Sequence, residues 1–184
     1  AEAAAEALAA RATAGAIRGM ANEDAAAAAD LAVLTVPFAH HQPVMEAVKA
    51  AVQGKIFVDV TVPLKPPKVG TVSLPPEGSA AQIAQAFLGE EVNVVSAFHN
   101  LAADHMSAHE TPPDCDVLVC GNDPAARDTV VALVEAAGLR GWHAGPLANS
   151  AAAEALTSVL IFINRRYKID GAGLRITGDP KPAD

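Results

Sequence analysis

Leu31-Ala32-Val33-Leu34-Thr35-Val36-Pro37 is the stretch that decides the fold. It is a nearly continuous apolar run closed by a proline, and strands covered on both faces of a parallel sheet read this way. The same pattern returns downstream. Gln42–Val52 has helical spacing and stops at Gly54, and Lys55-Ile56-Phe57-Val58-Asp59-Val60 is a second strand-like run. Ser79 caps the helix Ala80–Leu88, and Val92–Phe98 is a third run that ends on His99-Asn100. Strands alternating with helices predict an α/β fold built on a parallel sheet.

On the N-terminal side, Glu2–Ala14 reads as an alanine-rich helix, and Asn22-Glu23-Asp24 as a cap before a short helix at Ala25–Ala29. Thr61–Gly78 holds five prolines and reads as a loop. In the second half, Asp116–Cys120 is a strand, Pro124–Ala137 a helix opened by proline, and Leu139–Ala144 a short strand. Asn149 is expected to cap a long helix over Ala151–Tyr167, and the tail is expected to fray after Ile176.

Composition narrows the function. With 184 residues, 51% of them hydrophobic and 18% charged, the chain has the apolar content to bury a core and is not a disordered segment. A net charge of -8 argues against general nucleic-acid binding, which needs a basic stripe to displace counterions. The apolar stretch Leu156–Ile163 is short and is stopped by Asn164-Arg165-Arg166, and the alanine-rich start lacks the basic head of a signal peptide. A soluble, cytoplasmic protein without a membrane partner is the expectation. The two cysteines, Cys115 and Cys120, are five apart and would face opposite sides of a strand, so buried free thiols are expected.

The strand ends carry the candidate chemistry. Val36-Pro37-Phe38, Val60-Thr61-Val62-Pro63 and Phe98-His99-Asn100 would line one crevice if their strands are neighbours, because open parallel sheets bind ligands beyond the carboxyl ends of the strands. The plainer alternative is that Pro37 and Pro63 only terminate strands. No nucleophile elbow, Ser-His-Asp order or paired carboxylate is present, and Phe38, Val62, Phe98 and Leu101 are apolar. A dry slot suits hydride transfer, in which cofactors carry the chemistry and the protein fixes their approach. His99 can contact a cofactor or cap the strand end. His105 and His109 have helical ligand spacing but sit in a polar, proline-bounded segment, so no metal is expected. Gly145-Pro146-Leu147 ahead of Asn149 is a turn where an anion can dock, or an ordinary cap. Arg165, Arg166 and Lys168 suit the end of a helix dipole or an acidic ligand.

From Leu31 onward several blocks keep a recognisable order. They are Ala32–Pro37, Pro75-Pro76-Glu77-Gly78-Ser79-Ala80-Ala81, Val94–Asn100, Asp114–Gly121, Ala144-Gly145-Pro146-Leu147 and Asn164–Lys168. Together they resemble the NADPH-dependent coenzyme F420 reductase family, the oxidoreductases that exchange hydride between NADP and this deazaflavin. The resemblance implies a Rossmann-like NADP-binding domain over residues 1–100. It also implies a small C-terminal α/β domain over residues 101–184 that completes the deazaflavin cleft, in a homodimer whose partners are small-molecule cofactors. It implies Val36, Phe38, His40, Val62 and Ala103 on the NADP side. His99 and Leu101 would lie at the stacked rings, with the cofactor contact Asn100 between them.

Two features depart from the family. Its glycine-rich turn and the Ser-Arg that meets the 2′-phosphate do not occur here, so this chain is expected to grip NADPH weakly. Ala151 follows Asn149-Ser150 where the family often has Arg. Two other functions stay open: a non-catalytic cofactor-binding or oligomerising module, and an NADPH reductase with another acceptor such as a flavin or ferric iron.

Overall fold

The computed structural model describes residues 2–12, 15–103, 106 and 114–178. Its elements are α1 (Glu2–Ala9), α2 (Asn22–Ala28), β1 (Leu31–Leu34), α3 (His41–Val48), β2 (Ile56–Asp59) and α4 (Ala80–Leu88). After β3 (Asn93–Ser96) come β4 (Asp116–Gly121), α5 (Pro124–Ala136), β5 (Arg140–His143) and α6 (Ser150–Tyr167). The fold is α/β and Rossmann-like. Its five strands lie in the order β1-β2-β3-β4-β5.

β1, β2 and β3 are parallel neighbours, and β4 and β5 are parallel to each other. The two groups meet antiparallel at β3 and β4, through Val95 opposite Gly121 and Ser96 opposite Cys120. The sheet is therefore continuous across residue 100, and its parallel character breaks only at this junction.

Side chains alternate across the sheet and fill two cores. Leu34, Phe57 and Val94 face α3 and α4 with Met45, Val48, Val52, Ala84 and Leu88. Val58, Val95, Val117 and Val119 face α5 with Val130 and Val134. Register explains the division: Phe57 pairs with Val94 and Val58 with Val95, so each core takes both members of one such pair. The expectation that β1 is covered on both faces does not hold for the described residues. α5 stands over the far half of the sheet, and Val33 is left 43% exposed.

Several local expectations are met. Ser79 Oγ accepts the amide of Gln82 to cap α4, Pro124 opens α5 behind the cap Asp123, whose carboxylate accepts the Ala126 amide, and both cysteines are buried and free. Others are corrected. α2 begins at Asn22, so Asn22-Glu23-Asp24 is its first turn, where acidic side chains favour the helix dipole. α1 stops at Ala9 because the chain tightens there, with the Arg11 amide reaching back to the Leu8 carbonyl. Asn149 makes no cap bond. It closes a short 3₁₀ turn at Leu147–Asn149 and donates its side-chain amide to the Ala144 carbonyl.

α6 with the turn before it, Leu147–Tyr167, is long and apolar enough by length and composition to cross a membrane. It is built as a packing helix: Ser150, Ala153, Glu154, Ser158 and Leu160 face the protein, while Val159, Phe162 and Tyr167 are exposed. Phe162 has the backbone loop at Gly70 lying against its base.

The tail does not leave the fold at once. The Asp116 amide donates to the Leu174 carbonyl, and the Asp116 carboxylate accepts both the Ile176 amide and Trp142 Nε1. A Cβ placed on Gly173 would lie 2.5 Å from Cys115 Cβ, so only glycine lets the tail pass there. Gly173→Ala is expected to lower stability by about 1–3 kcal/mol through overpacking. A urea unfolding curve checks it, and an unchanged midpoint would mean that the tail is not docked against Cys115.

Candidate functional site

The carboxyl ends of β1, β2 and β3 share one edge of the sheet, so Pro37, Val62 and His99 gather there as the strand patterns predict. The backbone ladder continues past the strands: the Val60 amide donates to Leu34 and the Ala97 amide to Asp59. The ends are thus held rigidly beside one another.

Two hollows lie beyond them. One, of about 370 Å³, is lined by Val36, Phe38, Val60, Val62, Leu64 and Val69 with Pro37 and Thr61, and is almost wholly apolar. The other, of about 240 Å³, is lined by His99, Asn100, Leu101 and Ala102 against Thr157, Leu160, Ile161 and Asn164 of α6. The sequence-predicted residues therefore divide into two groups. Val36, Phe38 and Val62 share the first hollow, and His99, Asn100 and Leu101 share the second. His40 and Ala103 are exposed and line neither. His105 and His109 lie outside the described residues.

A buried polar series runs beneath these ends. His41 Nε2 sits 2.6 Å from Asp59 Oδ2, and both side chains are closed to solvent. Asp59 Oδ1 also accepts the Thr61 amide, which fixes the chain as it leaves β2. His99 comes next, at the end of β3, and Glu154 of α6 approaches it with Oε1 4.0 Å from Nε2. Glu154 accepts the amides of Ala80 at 2.6 Å and Ala81 at 3.2 Å, two of the free donors at the start of α4. Ser150 Oγ donates to the α4 cap Ser79 one turn earlier.

His99 is carried into this position by Phe98, whose φ of 66° is left-handed and costly for a residue with a side chain. The bend is held from α6. Asn100 donates its amide to the Ala153 carbonyl at 3.0 Å and to Thr157 Oγ1 at 3.3 Å, while Thr157 donates to the His99 carbonyl at 2.9 Å. The side-chain donors of Asn100 are thus spent on the fold. Both ring nitrogens of His99 lack a hydrogen-bond partner although the ring is buried. Buried polar atoms without a bond of good geometry are uncommon and ask for a physical reason.

Burial shapes the electrostatics. It pushes the His99 imidazole down to about 4, against the weaker pulls of the nearby Asp59 charge and of the Asp59 backbone carbonyl. It pushes the Glu154 carboxyl up to about 8, opposed by the two α4 amides and reinforced by Asp59. Cys120 is also driven up by burial, to about 11, so its thiol is inert at neutral pH.

Sequence reasoning missed four members of this arrangement: His41, Asp59, Glu154 and Thr157. Two signals could have found them. Asp59 is an acid at the end of an apolar strand, and Glu154 is one inside the apolar face of a helix; each needs a partner if buried. The anion reading of the Gly145–Leu147 turn weakens, because Asn122 Oδ1 already accepts the Leu147 amide. Arg165 and Arg166 are exposed in the last turn of α6, where the helix dipole accounts for them.

The His99 shift has a consequence for acid stability. A pKa lowered in the folded state means that the neutral ring favours folding, so this contribution is complete above about 6.5 and is lost as pH falls toward 4. Glu154 acts in the opposite sense, losing its contribution as pH rises from 4.5 through about 8. Melting curves of the protein and of His99→Gln from pH 7 to 4 separate the two: the variant is expected to show the shallower fall. Equal slopes would place His99 in contact with solvent.

The arrangement matches known proteins. The family model of coenzyme F420-dependent NADP oxidoreductases matches residues 1–63, so the resemblance reaches back beyond Leu31. The F420-dependent NADP reductase of Methanocaldococcus jannaschii is 38% identical over 165 residues, covering 88% of this chain and 74% of that protein. The enzyme of the same name from Methanothermobacter thermautotrophicus is 36% identical over 171 residues, with 90% and 73% covered. A crystal structure from Arthrobacter sp. FB24, provisionally assigned as an F420-dependent NADP reductase, superposes with a TM-score of 0.76 at 26% identity, covering 86% of this chain and 74% of that one. An imine reductase from Bacillus cereus shares the fold alone, with a TM-score of 0.60 at 16% identity over 91% of this chain and 51% of its own. By its similarity to these proteins, and in particular to the archaeal enzymes over most of both chains, this chain belongs to the F420-dependent NADP reductase family.

Proposed function

We propose that this chain exchanges hydride between NADP(H) and coenzyme F420 along the carboxyl ends of β1, β2 and β3. It is an oxidoreductase of that family, and NADP and the deazaflavin are its cofactors. The single observation that carries the placement is the buried His99 ring with both nitrogens open, set beside apolar hollows that suit flat rings. Bound together, the two cofactors supply the carbon that gives hydride and the carbon that takes it.

Everything else is the protein's task. Val36, Phe38 and Val62 would exclude water on the NADP side, with the exposed His40 and Ala103 outside them. Leu101 would press on the stacked rings and His99 would offer a ring nitrogen at their margin. Asn100 serves by fixing His99 and Leu101 against α6, and its donors are already engaged there. Residues 1–100 would carry the NADP side, and residues 101–184, through α6, the deazaflavin side. The apolar exposed face of α6, with Phe162 59% and Tyr167 70% exposed, is the surface on which a homodimer would close. An acidic chain of this kind fits a cytoplasmic enzyme without a nucleic-acid partner.

Leu101→Ala tests the placement. Reacting carbons must be held at roughly 3–3.5 Å, and small drifts cost on the order of a hundredfold in rate. Single-turnover absorbance of the deazaflavin with NADPH is expected to show that loss, while the affinity of either cofactor changes less. An unchanged rate would move hydride transfer away from the end of β3. For the assembly, Phe162→Glu is expected to convert dimer to monomer in sedimentation velocity, and a variant that stays dimeric sends the interface elsewhere.

A further inference from the structure

We propose that Glu154 decides which ring nitrogen of His99 carries the proton, donating to Nε2 in its acid form and accepting from Nε2 once ionised. The geometry supplies the parts. Oε1 and Nε2 face each other at 4.0 Å, and among the described residues neither ring nitrogen has a well-formed hydrogen bond, the Asp59 backbone carbonyl pulling on the ring only weakly, so a shortening of about 1 Å makes a hydrogen bond. Oε2 is fully engaged by the close Ala80 amide, while Oε1 has only the longer contact with Ala81 and is the atom free to hold a proton.

The proton balance follows from the ring. A neutral imidazole has one N–H. With Glu154 protonated, the Oε1 proton points at Nε2, so the ring proton sits on Nδ1 and Nδ1 is a donor. With Glu154 ionised, the ring proton sits on Nε2 and Nδ1 is an acceptor. Passing from the first state to the second releases one proton: it leaves from Nδ1 while the Oε1 proton crosses to Nε2. No other bond changes.

The surroundings favour this exchange over charging of the ring. Asp59 faces the pair from β2, with its own carboxylate bonded to His41 of α3. From β4 the Cys120 thiol stays protonated, and Arg127 of α5 acts on that thiol from beyond it. His99 itself remains neutral above about 4, so the ionisation that drives the exchange is that of the Glu154 carboxyl.

Any bearing of the tautomer on turnover rests on hydride transfer occurring at His99, but the tautomer itself does not, so the test uses the protein without cofactors. Long-range proton–nitrogen NMR on histidine-labelled protein from pH 6 to 10 reads the two tautomers directly. His99 is expected to change from Nδ1–H to Nε2–H with a midpoint near 8, and the Glu154 carboxyl carbon is expected to titrate with it. Glu154→Gln is expected to hold one tautomer across the range. A single tautomer throughout in the unaltered protein, or carboxyl and ring midpoints that differ, overturns the proposal, and neither reading needs the variant to fold. If the switch is found while Leu101→Ala leaves hydride transfer intact, the placement of the reaction fails and the switch stands.

Discussion

Glu154 sits inside an 18-residue helix of mostly apolar side chains, shut away from water, and a carboxyl group there has few ways to exist. Desolvation of its charge costs several kcal/mol unless donors replace the lost water. The first two free amides of α4, 73 and 74 residues away in sequence, do so in part, and burial still pushes the carboxyl up to about 8. To reach them α6 must lie across the start of α4, which brings Ser150 against Ser79 and Thr157 against the end of β3. The same packing of α6 places Asn100 and Thr157 at the bend after β3 and lines the second hollow.

The bend at Phe98 is the complementary feature. A left-handed residue at a strand end persists only where its surroundings over-determine it. Here the Asn100 and Thr157 bonds to α6 provide that constraint, and the Phe98 ring packs on the core beneath the sheet. The strain has a geometric product: it sets the His99 ring among buried groups. The His99 backbone is tied to α6 through Thr157, while its buried ring has no hydrogen bond of good geometry among the described residues.

The same logic separates His40 from His41. Both follow Phe38 within three residues, and a sequence reading has little to choose between them. The 3₁₀ turn at Phe38–His40 leaves His40 in solvent and rotates His41 inward, where its ring meets Phe38 at 5.7 Å and Asp59 at 2.6 Å. The exposed histidine is the one that motif matching selects, and the buried one completes the polar series. Val33 carries a related lesson. An apolar run signals a buried strand, yet how far each face is covered depends on where helices from other parts of the chain come to rest.

The sequence by itself determined what local physics controls. Apolar runs of strand length, closing prolines and capping residues such as Ser79 fix the alternation of strands and helices, and with it the shared edge where Pro37, Val62 and His99 meet. The family blocks added the chemistry, because they preserve residue types in order. Tertiary structure alone decided which polar groups meet beneath that edge. His41 and Asp59 are 18 residues apart, Asn100 and Thr157 are 57 apart, and no periodicity connects them. It also decided that β4 runs against β3, with Val95 opposite Gly121 and Ser96 opposite Cys120. Spacing shows where a chain turns, but a buried polar group finds its partner only when the whole fold has closed around it.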